Sequence, residues 1–120
     1  MDFETLTATL RAFADERDWD QFHSPKNLSM ALSVEVAELV EHFQWLTEKQ
    51  SHELPPETAK QVAEEIADIQ IYLVRLADKL GVDIGAAVED KIRINRQKYP
   101  ADDVRGDAAK YTKYEKDSQS

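Results

Sequence analysis

Prolines and glycines in this chain are few, and they separate long segments whose apolar residues recur every three or four positions. Pro25 precedes one such segment, Pro55 and Pro56 separate two others, and Gly81 begins the connection to the last. Proline and glycine are typical of helix ends. No stretch shows the sustained alternation of apolar and polar residues that indicates a β-strand. The sequence therefore predicts an all-α fold with four helices.

The four helices are expected over about residues 2–18, 27–48, 57–80 and 83–98, with an aromatic-rich connection over residues 19–25. The third has an uninterrupted apolar seam formed by Val62, Ile66, Ile69, Leu73, Leu76 and Leu80. Because helices two and three are long and the connection over residues 51–56 is short, they are expected to form an antiparallel hairpin. This arrangement predicts a four-helix-bundle-like protomer.

The length of 120 residues predicts one domain over residues 1–100, followed by a C-terminal tail over residues 101–120. The tail is polar, has mixed charge and lacks periodicity, so it is expected to be partly disordered, with Tyr111 and Tyr114 available to dock on a neighbour. A monomer of this size buries only about two-thirds of its unfolded surface. Pairing with a second copy would therefore stabilise it.

The composition excludes several classes of function. The formal net charge of -9 argues against partners such as nucleic acid polymers and anionic membranes. No apolar run approaches the roughly 18 residues of a transmembrane helix. The N-terminus lacks the basic and apolar regions of a signal peptide, so a cytoplasmic protein is expected. The absence of cysteine excludes disulfides and zinc–thiolate sites.

Four carboxylates occupy unexpected positions on the two central helices. Glu35 lies on the apolar seam of helix two, where a buried carboxylate needs a cation or a shifted pKa. Glu38 is adjacent on the same helical surface, and Glu65 and Asp68 repeat the spacing on helix three. If the helices pair, the four side chains converge into an oxygen-rich cluster that suits Mg²⁺ or Mn²⁺.

The same spacing also arises by chance in acidic helices, as Glu38 and Glu41 show here. The residues alone therefore leave solvent-exposed surface charge and a metal site about equally open. A ferritin-like di-iron site would need Glu-x-x-His motifs, and none of His23, His42 and His52 follows a glutamate by three residues. His42 is interpreted instead as a core histidine.

Residues 35–38 (EVAE) and 65–68 (EIAD) resemble the paired Glu-x-x-Glu and Glu-x-x-Asp motifs of the MazG-like all-α nucleotide pyrophosphohydrolases. More specific blocks accompany them in the same order, and these resemble the dCTP pyrophosphatase branch: residues 17–28 (RDWDQFHSPKNL), 43–45 (FQW), 71–73 (IYL) and 91–100 (KIRINRQKYP). The resemblance covers about residues 10–100 and extends faintly through residues 110–112.

The resemblance implies Mg²⁺-dependent hydrolysis of a nucleoside triphosphate to the monophosphate and pyrophosphate, in a homodimer or a homotetramer built from dimers. The implied substrate is dCTP or a modified pyrimidine deoxynucleotide, and the implied role is nucleotide-pool cleansing. The implied metal ligands are Glu35, Glu38, Glu65 and Asp68, with Glu35 or Glu38 also acting as the general base.

The resemblance also implies a substrate pocket. Trp19 and Trp45 would stack on or enclose the base, with His23 and Tyr72 beside them, and the phosphates would be bound by Lys91, Asn95 and Tyr99. Taken singly, these residue types are more often packing or solvated surface. Leu10 replaces a histidine that helps to recognise the base in the animal branch, so strict dCTP preference is not implied.

Two other functions remain open. The chain could be a helical oligomerisation or partner-binding module that has lost catalysis, although all four carboxylates are present. It could also be a pyrophosphatase acting on another compound, such as a phosphoribosyl nucleotide. Trp19 and Trp45 favour a base-stacking pocket over the latter.

Overall fold

The computed structural model describes residues 1–106, and this part of the chain is helical throughout, with no β-strand. Its helices are α1 (Phe3–Glu16), α2 (Pro25–Glu41), α3 (Glu48–Ser51), α4 (Pro56–Leu80), α5 (Ile84–Lys98) and α6 (Ala101–Val104), and a 3₁₀ turn covers Asp20–Phe22. The predicted all-α class is confirmed. None of these helices has the length and apolar character needed to cross a membrane.

Local sequence explains where the long helices begin and end. The side chain of Asp2 accepts a hydrogen bond from the Thr5 N–H at 2.7 Å and thereby caps α1. Ser24 caps α2 through the Asn27 N–H at 3.1 Å, and Pro25 occupies the first turn, where its missing N–H is not needed. α4 ends at Gly81, whose φ of 68° is the left-handed conformation that favours glycine.

The predicted end of the second helix is wrong. α2 ends at Glu41, and the connection to α4 covers residues 42–55 and includes α3, so it is much longer than expected. The Phe43 N–H donates to the Val40 carbonyl at 2.9 Å, which tightens the chain out of the α-helix. Thr47 and Gln50 then form a capping box that starts α3 as a separate helix.

The predicted antiparallel pairing of the two central helices is confirmed. α2 packs along α4, and α1 also packs on α4. His23, just before α2, contacts Arg75 near the end of α4, whereas His42, just after α2, lies near Glu65 in the first half of α4. The two helices therefore run in opposite directions, which aligns the middle of one with the middle of the other.

The core of these helices is thin. The buried apolar side chains in the described part of the chain are Ala14, Leu28, Val62 and Val74. The apolar seam predicted for α4 is only partly buried, because Ile66, Leu73 and Leu80 are exposed. α1 and α2 cover only part of the circumference of α4, and the seam predicted from periodicity extends beyond that part.

α5 and α6 belong to a second unit, which begins at Ile84. Its apolar residues Val88 and Ile92 are half exposed. α6 forms the start of the predicted C-terminal tail. Residues 107–120, with Tyr111, Tyr114 and the 110–112 block, lie outside the described residues, so the predicted partial disorder of the tail stays a prediction.

Candidate active site

An acidic cluster forms where the middle of α2 meets α4. One carboxylate oxygen each from Glu35, Glu38 and Glu65 lies within 4.8 Å of the others. The two glutamates of α2 are three residues apart and share a helical surface, and the antiparallel packing brings Glu65 of α4 to that surface. The charge of Asp68 acts on Glu35. Asp68 is not, however, one of the three residues whose carboxylate oxygens lie within 4.8 Å of one another.

Burial and the mutual repulsion of the negative charges in this cluster change the pKa of Glu35. Burial, then hydrogen bonds with Glu38 and Glu65, and then the charges of Glu38 and Asp68 together raise the pKa of Glu35 to about 7. Carboxyl groups that meet in this way share a proton because both cannot easily ionise. The arrangement therefore holds a proton at a position where a cation could bind.

The second oxygen of Glu65 supports the same conclusion. Its Oε2 is buried and has no hydrogen-bond partner within the described part of the chain. An unpartnered buried carboxylate oxygen is costly and needs an explanation, such as an ion that binds it. Oxygen-only ligands of this kind fit a hard divalent cation such as Mg²⁺.

His42 lies beside this cluster. Its Nε2 lies 4.0 Å from Oε1 of Glu65, which is too far for a hydrogen bond. The sequence prediction treated His42 as a core histidine and missed its position beside a proposed ligand. The seam position that it shares with Glu35 was the available signal.

The segment after α1 places Trp19 near the surface. Asp18 has a φ of 53°, so the chain reverses sharply there, and the Trp19 N–H donates to the Ala14 carbonyl at 2.9 Å. The Trp19 ring contacts the edge of Phe13, with centroids 5.8 Å apart, yet it remains 46% exposed. Its position is fixed, while much of its surface is open to a ligand.

Trp45 lies in the turn between α2 and α3 rather than on a helix, because α2 ends earlier than predicted. It is 87% exposed. An indole ring is rarely left so open in a folded chain, so Trp45 is a candidate for contact with a ligand or with another molecule.

His23 and Tyr72 are both half-buried. Nδ1 of His23 lies 3.1 Å from Nη2 of Arg75, and burial, followed by the charge of Arg75, lowers the pKa of His23. Tyr72 follows Asp68 by one turn on the same side of α4. The sequence prediction missed Arg75, which lies one residue from the predicted seam and is buried.

The remaining predicted substrate residues belong to α5 and its C-terminal end. Lys91 is exposed, and Asn95 and Tyr99 are half-buried. The Asn95 carbonyl accepts the Tyr99 N–H at 2.8 Å, so the three side chains follow one another at intervals of one helical turn. Their phosphate-binding roles stay predictions, as does the effect of Leu10, which is half-buried on α1.

Comparison with known proteins gives consistent matches. The MazG-like family model matches residues 30–113. The chain is 50% identical over 102 residues to dCTP pyrophosphatase 1 of Mus musculus and 47% identical to that of Homo sapiens, covering in each case 83% of this chain and 60% of the relative. It thus spans about 60% of the length of these curated relatives.

A solved structure is also similar. The crystal structure of a pyrophosphatase from Archaeoglobus fulgidus superimposes with a TM-score of 0.77 at 43% sequence identity, covering 81% of this chain and 91% of that one. The family match includes both acidic motifs, at residues 35–38 and 65–68. The resemblance inferred from the sequence is confirmed, and the chain belongs to the MazG-like family.

Proposed function

We propose that this protein is a Mg²⁺-dependent nucleoside triphosphate pyrophosphohydrolase. The observation that carries the proposal is the convergence of Glu35, Glu38 and Glu65, with a buried Glu65 oxygen that has no partner among the described residues. The family match and the pyrophosphatase names of its relatives support the same reaction class.

The proposed ligands of the metal are Glu35, Glu38, Glu65 and Asp68, and Mn²⁺ is a possible substitute. When bound, the ion would neutralise phosphate charge and lower the pKa of a coordinated water. Asp68 would complete the set because it lies one turn from Glu65 on α4 and already acts on Glu35 through its charge. The chemistry of these oxygen ligands fits the ion.

Water is the proposed nucleophile. It attacks either the α-phosphorus or the β-phosphorus, and the bond between that phosphorus and the oxygen that bridges the two breaks. The products are a nucleoside monophosphate and pyrophosphate. Glu35 or Glu38 accepts the proton of the water.

Trp19 and Trp45 are proposed to hold the base of the substrate, with His23 and Tyr72 beside it. Trp19 lies before α2 and Trp45 after it, and a helix of 17 residues is about 25 Å long, so the two rings that enclose one base would come from different copies of the chain. Both indole rings have exposed surface on which a base can stack. Lys91, Asn95 and Tyr99 are proposed to bind the phosphates. We propose dCTP or a modified pyrimidine deoxynucleotide as the substrate, nucleotide-pool house-cleaning as the role and the cytoplasm as the location.

A second copy of this chain is the proposed partner, in a homodimer or a homotetramer. The exposed large apolar side chains on α2 and α4 include Met30, Val34, Val36, Val40, Ile66 and Leu73. Met30 and Val34 are one turn apart on α2 and share a face of the helix, and exposed apolar patches mark interfaces in soluble proteins. Lysine at Met30 and Val34 should lower the molar mass measured by light scattering, whereas lysine at the exposed polar neighbour Ser29 should not. A wild-type monomer at micromolar concentration would contradict this proposal.

Product analysis tests the reaction. The purified protein is incubated with each canonical and several modified nucleoside triphosphates, with Mg²⁺ or with EDTA, and pyrophosphate is separated from phosphate. Metal-dependent formation of monophosphate and pyrophosphate, lost in Asp68→Ala, is the expected result, and the ranking of nucleotides identifies the substrate. No turnover, or phosphate release that Asp68→Ala leaves unchanged, would instead favour a catalytically silent oligomerisation module.

A further inference from the structure

Arg75 is the one fully buried charged residue among those the structure describes, at 4% exposure. A buried guanidinium is costly unless its hydrogens are used. Its Nη2 donates to Oδ1 of Asp20 at 3.0 Å and lies 3.1 Å from Nδ1 of His23. Both partners belong to the aromatic segment that precedes α2, so Arg75 attaches that segment to α4.

The network around Arg75 is supported from α1 and α4. Nη1 of Arg75 lies 3.5 Å from Oδ2 of Asp78, and Nε of Arg11 donates to the same carboxylate at 2.7 Å. Lys79 forms an ion pair with Asp20. The guanidinium is therefore held in place by carboxylates on either side, which limits the orientations available to it.

Neutralising Asp20 does not require Arg75. Lys79 already pairs with Asp20, and the Nε of Arg75 is buried without a partner in the described residues. If the only role of Arg75 were to neutralise nearby carboxylates, all of its buried N–H groups would be expected to have hydrogen-bond acceptors. The contact that Arg75 alone provides is the one with His23.

The chemistry of that contact determines the protonation state of the imidazole. An arginine has only donor hydrogens and stays protonated, so the His23 nitrogen that faces it must accept. Nη2 carries two hydrogens, and Asp20 and His23 take one each. The proton of the neutral His23 ring is then on Nε2, on the opposite side of the ring from Arg75.

We propose that Arg75 is a positioning residue for the substrate pocket, which holds His23 as the neutral tautomer with its proton on Nε2 and so directs an N–H donor toward an acceptor group of the bound nucleotide. This role rests on the proposed function and specifies one of its contacts. Arg75 itself does not touch the substrate. It acts through His23.

The charges around His23 favour the neutral ring. Arg75 and Lys79 on α4 oppose its protonation, and Asp20 on the 3₁₀ turn favours it. Asp78 and Arg11 lie one contact further away and pair with each other. With two cations against one carboxylate, and with partial burial, the ring remains a neutral donor at neutral pH.

The tautomer can be measured without any assay of activity. In protein labelled with ¹⁵N, long-range proton–nitrogen spectra distinguish protonated from unprotonated imidazole nitrogens, and the His23→Gln variant assigns the signals among the three histidines. Wild-type His23 should show an unprotonated Nδ1 and a protonated Nε2. A protonated Nδ1 would overturn the proposal, as would an Arg75→Gln spectrum in which His23 is unchanged.

Kinetics then test the effect on the substrate. Arg75→Gln should raise KM about fivefold, which corresponds to the loss of one neutral hydrogen bond, with kcat within about twofold of the wild type. The effect should be absent in a His23→Gln background, because the residue through which Arg75 acts is already lost. Should Arg75→Gln fail to fold, Arg75→Lys replaces it, since lysine keeps the charge without the planar fork.

Arg11→Gln is the matched control, because it removes another guanidinium from the same network without touching His23 or Asp20. Its KM should equal that of the wild type. Equal changes in KM for the Arg11 and Arg75 variants would overturn the proposal, since they would show a general effect of the network. If the wild-type protein hydrolyses no nucleotide, the proposed function fails, and the spectrum alone still decides whether Arg75 fixes His23.

Discussion

Glu35 on α2 and Glu65 on α4 have carboxylate oxygens within 4.8 Å of one another, although the two residues are on different helices and far apart in the sequence. Their proximity contributes, after burial and the hydrogen bond with Glu38, to the raised pKa of Glu35. Two acids this close are unfavourable in the absence of a cation. The pair is therefore expected to make the stability of the folded chain depend on pH and, under the proposed function, on metal.

Glu35 should make the metal-free protein less stable as the pH rises from about 4.5 to about 7. In this range the unfolded chain ionises Glu35, whose ordinary pKa is 4.5, while the folded chain still holds the proton, with a pKa of about 7. The unfolded state then binds fewer protons, so the free energy of unfolding falls, and it levels off above pH 7.

Urea unfolding at several pH values in EDTA measures this effect. Subtracting the curve of Glu35→Gln removes the contributions of other titrating groups, and the difference should show the decline. Mg²⁺ should reverse it, raising the Tm more at pH 8 than at pH 5.5 because the ion competes with protons for the same oxygens. A difference curve that is flat from pH 4.5 to 7 would contradict the prediction.

Glu65 and Glu64 form a matched pair for testing the metal site. Glu65→Gln should lower the affinity for Mg²⁺ and reduce kcat/KM by at least about 100-fold, because a ligand of the proposed catalytic metal is lost. Glu64→Gln removes the same charge from an exposed neighbour and should remain close to the wild type. Isothermal titration with Mg²⁺ and steady-state kinetics measure the two effects, and equal losses in both variants would indicate a general effect of net charge.

Trp19 and Trp45 should contribute stacking energy to nucleotide binding. Replacing either residue by alanine should weaken binding by about 1–3 kcal/mol, whereas phenylalanine, which keeps an aromatic face, should lose less. Quenching of tryptophan fluorescence by a non-hydrolysable nucleotide, measured on the two single-tryptophan proteins, follows each ring separately. Unchanged affinity in Trp45→Ala would indicate that its exposed ring serves another purpose, such as contact with a second copy.

Leu28 should dominate the stability of the helical hairpin. It is 1% exposed, whereas Leu80, near the end of α4, is 57% exposed. Leu28→Ala should lower the free energy of unfolding by about 2–5 kcal/mol because it leaves a cavity in a thin core. Leu80→Ala should change it by less than about 0.5 kcal/mol. Chemical denaturation at a fixed protein concentration compares them, and similar losses would show that Leu80 is covered in an assembly.

Periodicity, prolines and glycines were sufficient to predict most helices. Pro25 marks the start of α2 and Gly81 marks the end of α4, because each acts through its own backbone and nearest neighbours. The end of α2 was missed because no proline or glycine follows Glu41. The signal there is Thr47 with Gln50, a capping box that starts a new helix.

Burial could not be predicted in the same way. Ile66 and Leu73 continue the seam of α4 as regularly as Val62, yet they are exposed while Val62 is buried. Periodicity identifies which residues share a face of a helix, but it does not indicate how much of that face a neighbouring helix covers. Arg75 shows the opposite case, since it is charged and is nevertheless buried.

The sequence by itself determined the all-α class, the two acidic motifs and the family, because these depend on local spacing and on the order of short blocks. Only the tertiary structure decided that Glu35, Glu38 and Glu65 meet, that Asp20 and His23 share Arg75, and that Glu35 titrates near pH 7. These features arise from the packing of one helix against another, which also buries charged groups and shifts their pKa values. The spacing of residues along a single helix does not indicate which residues of another helix they will contact.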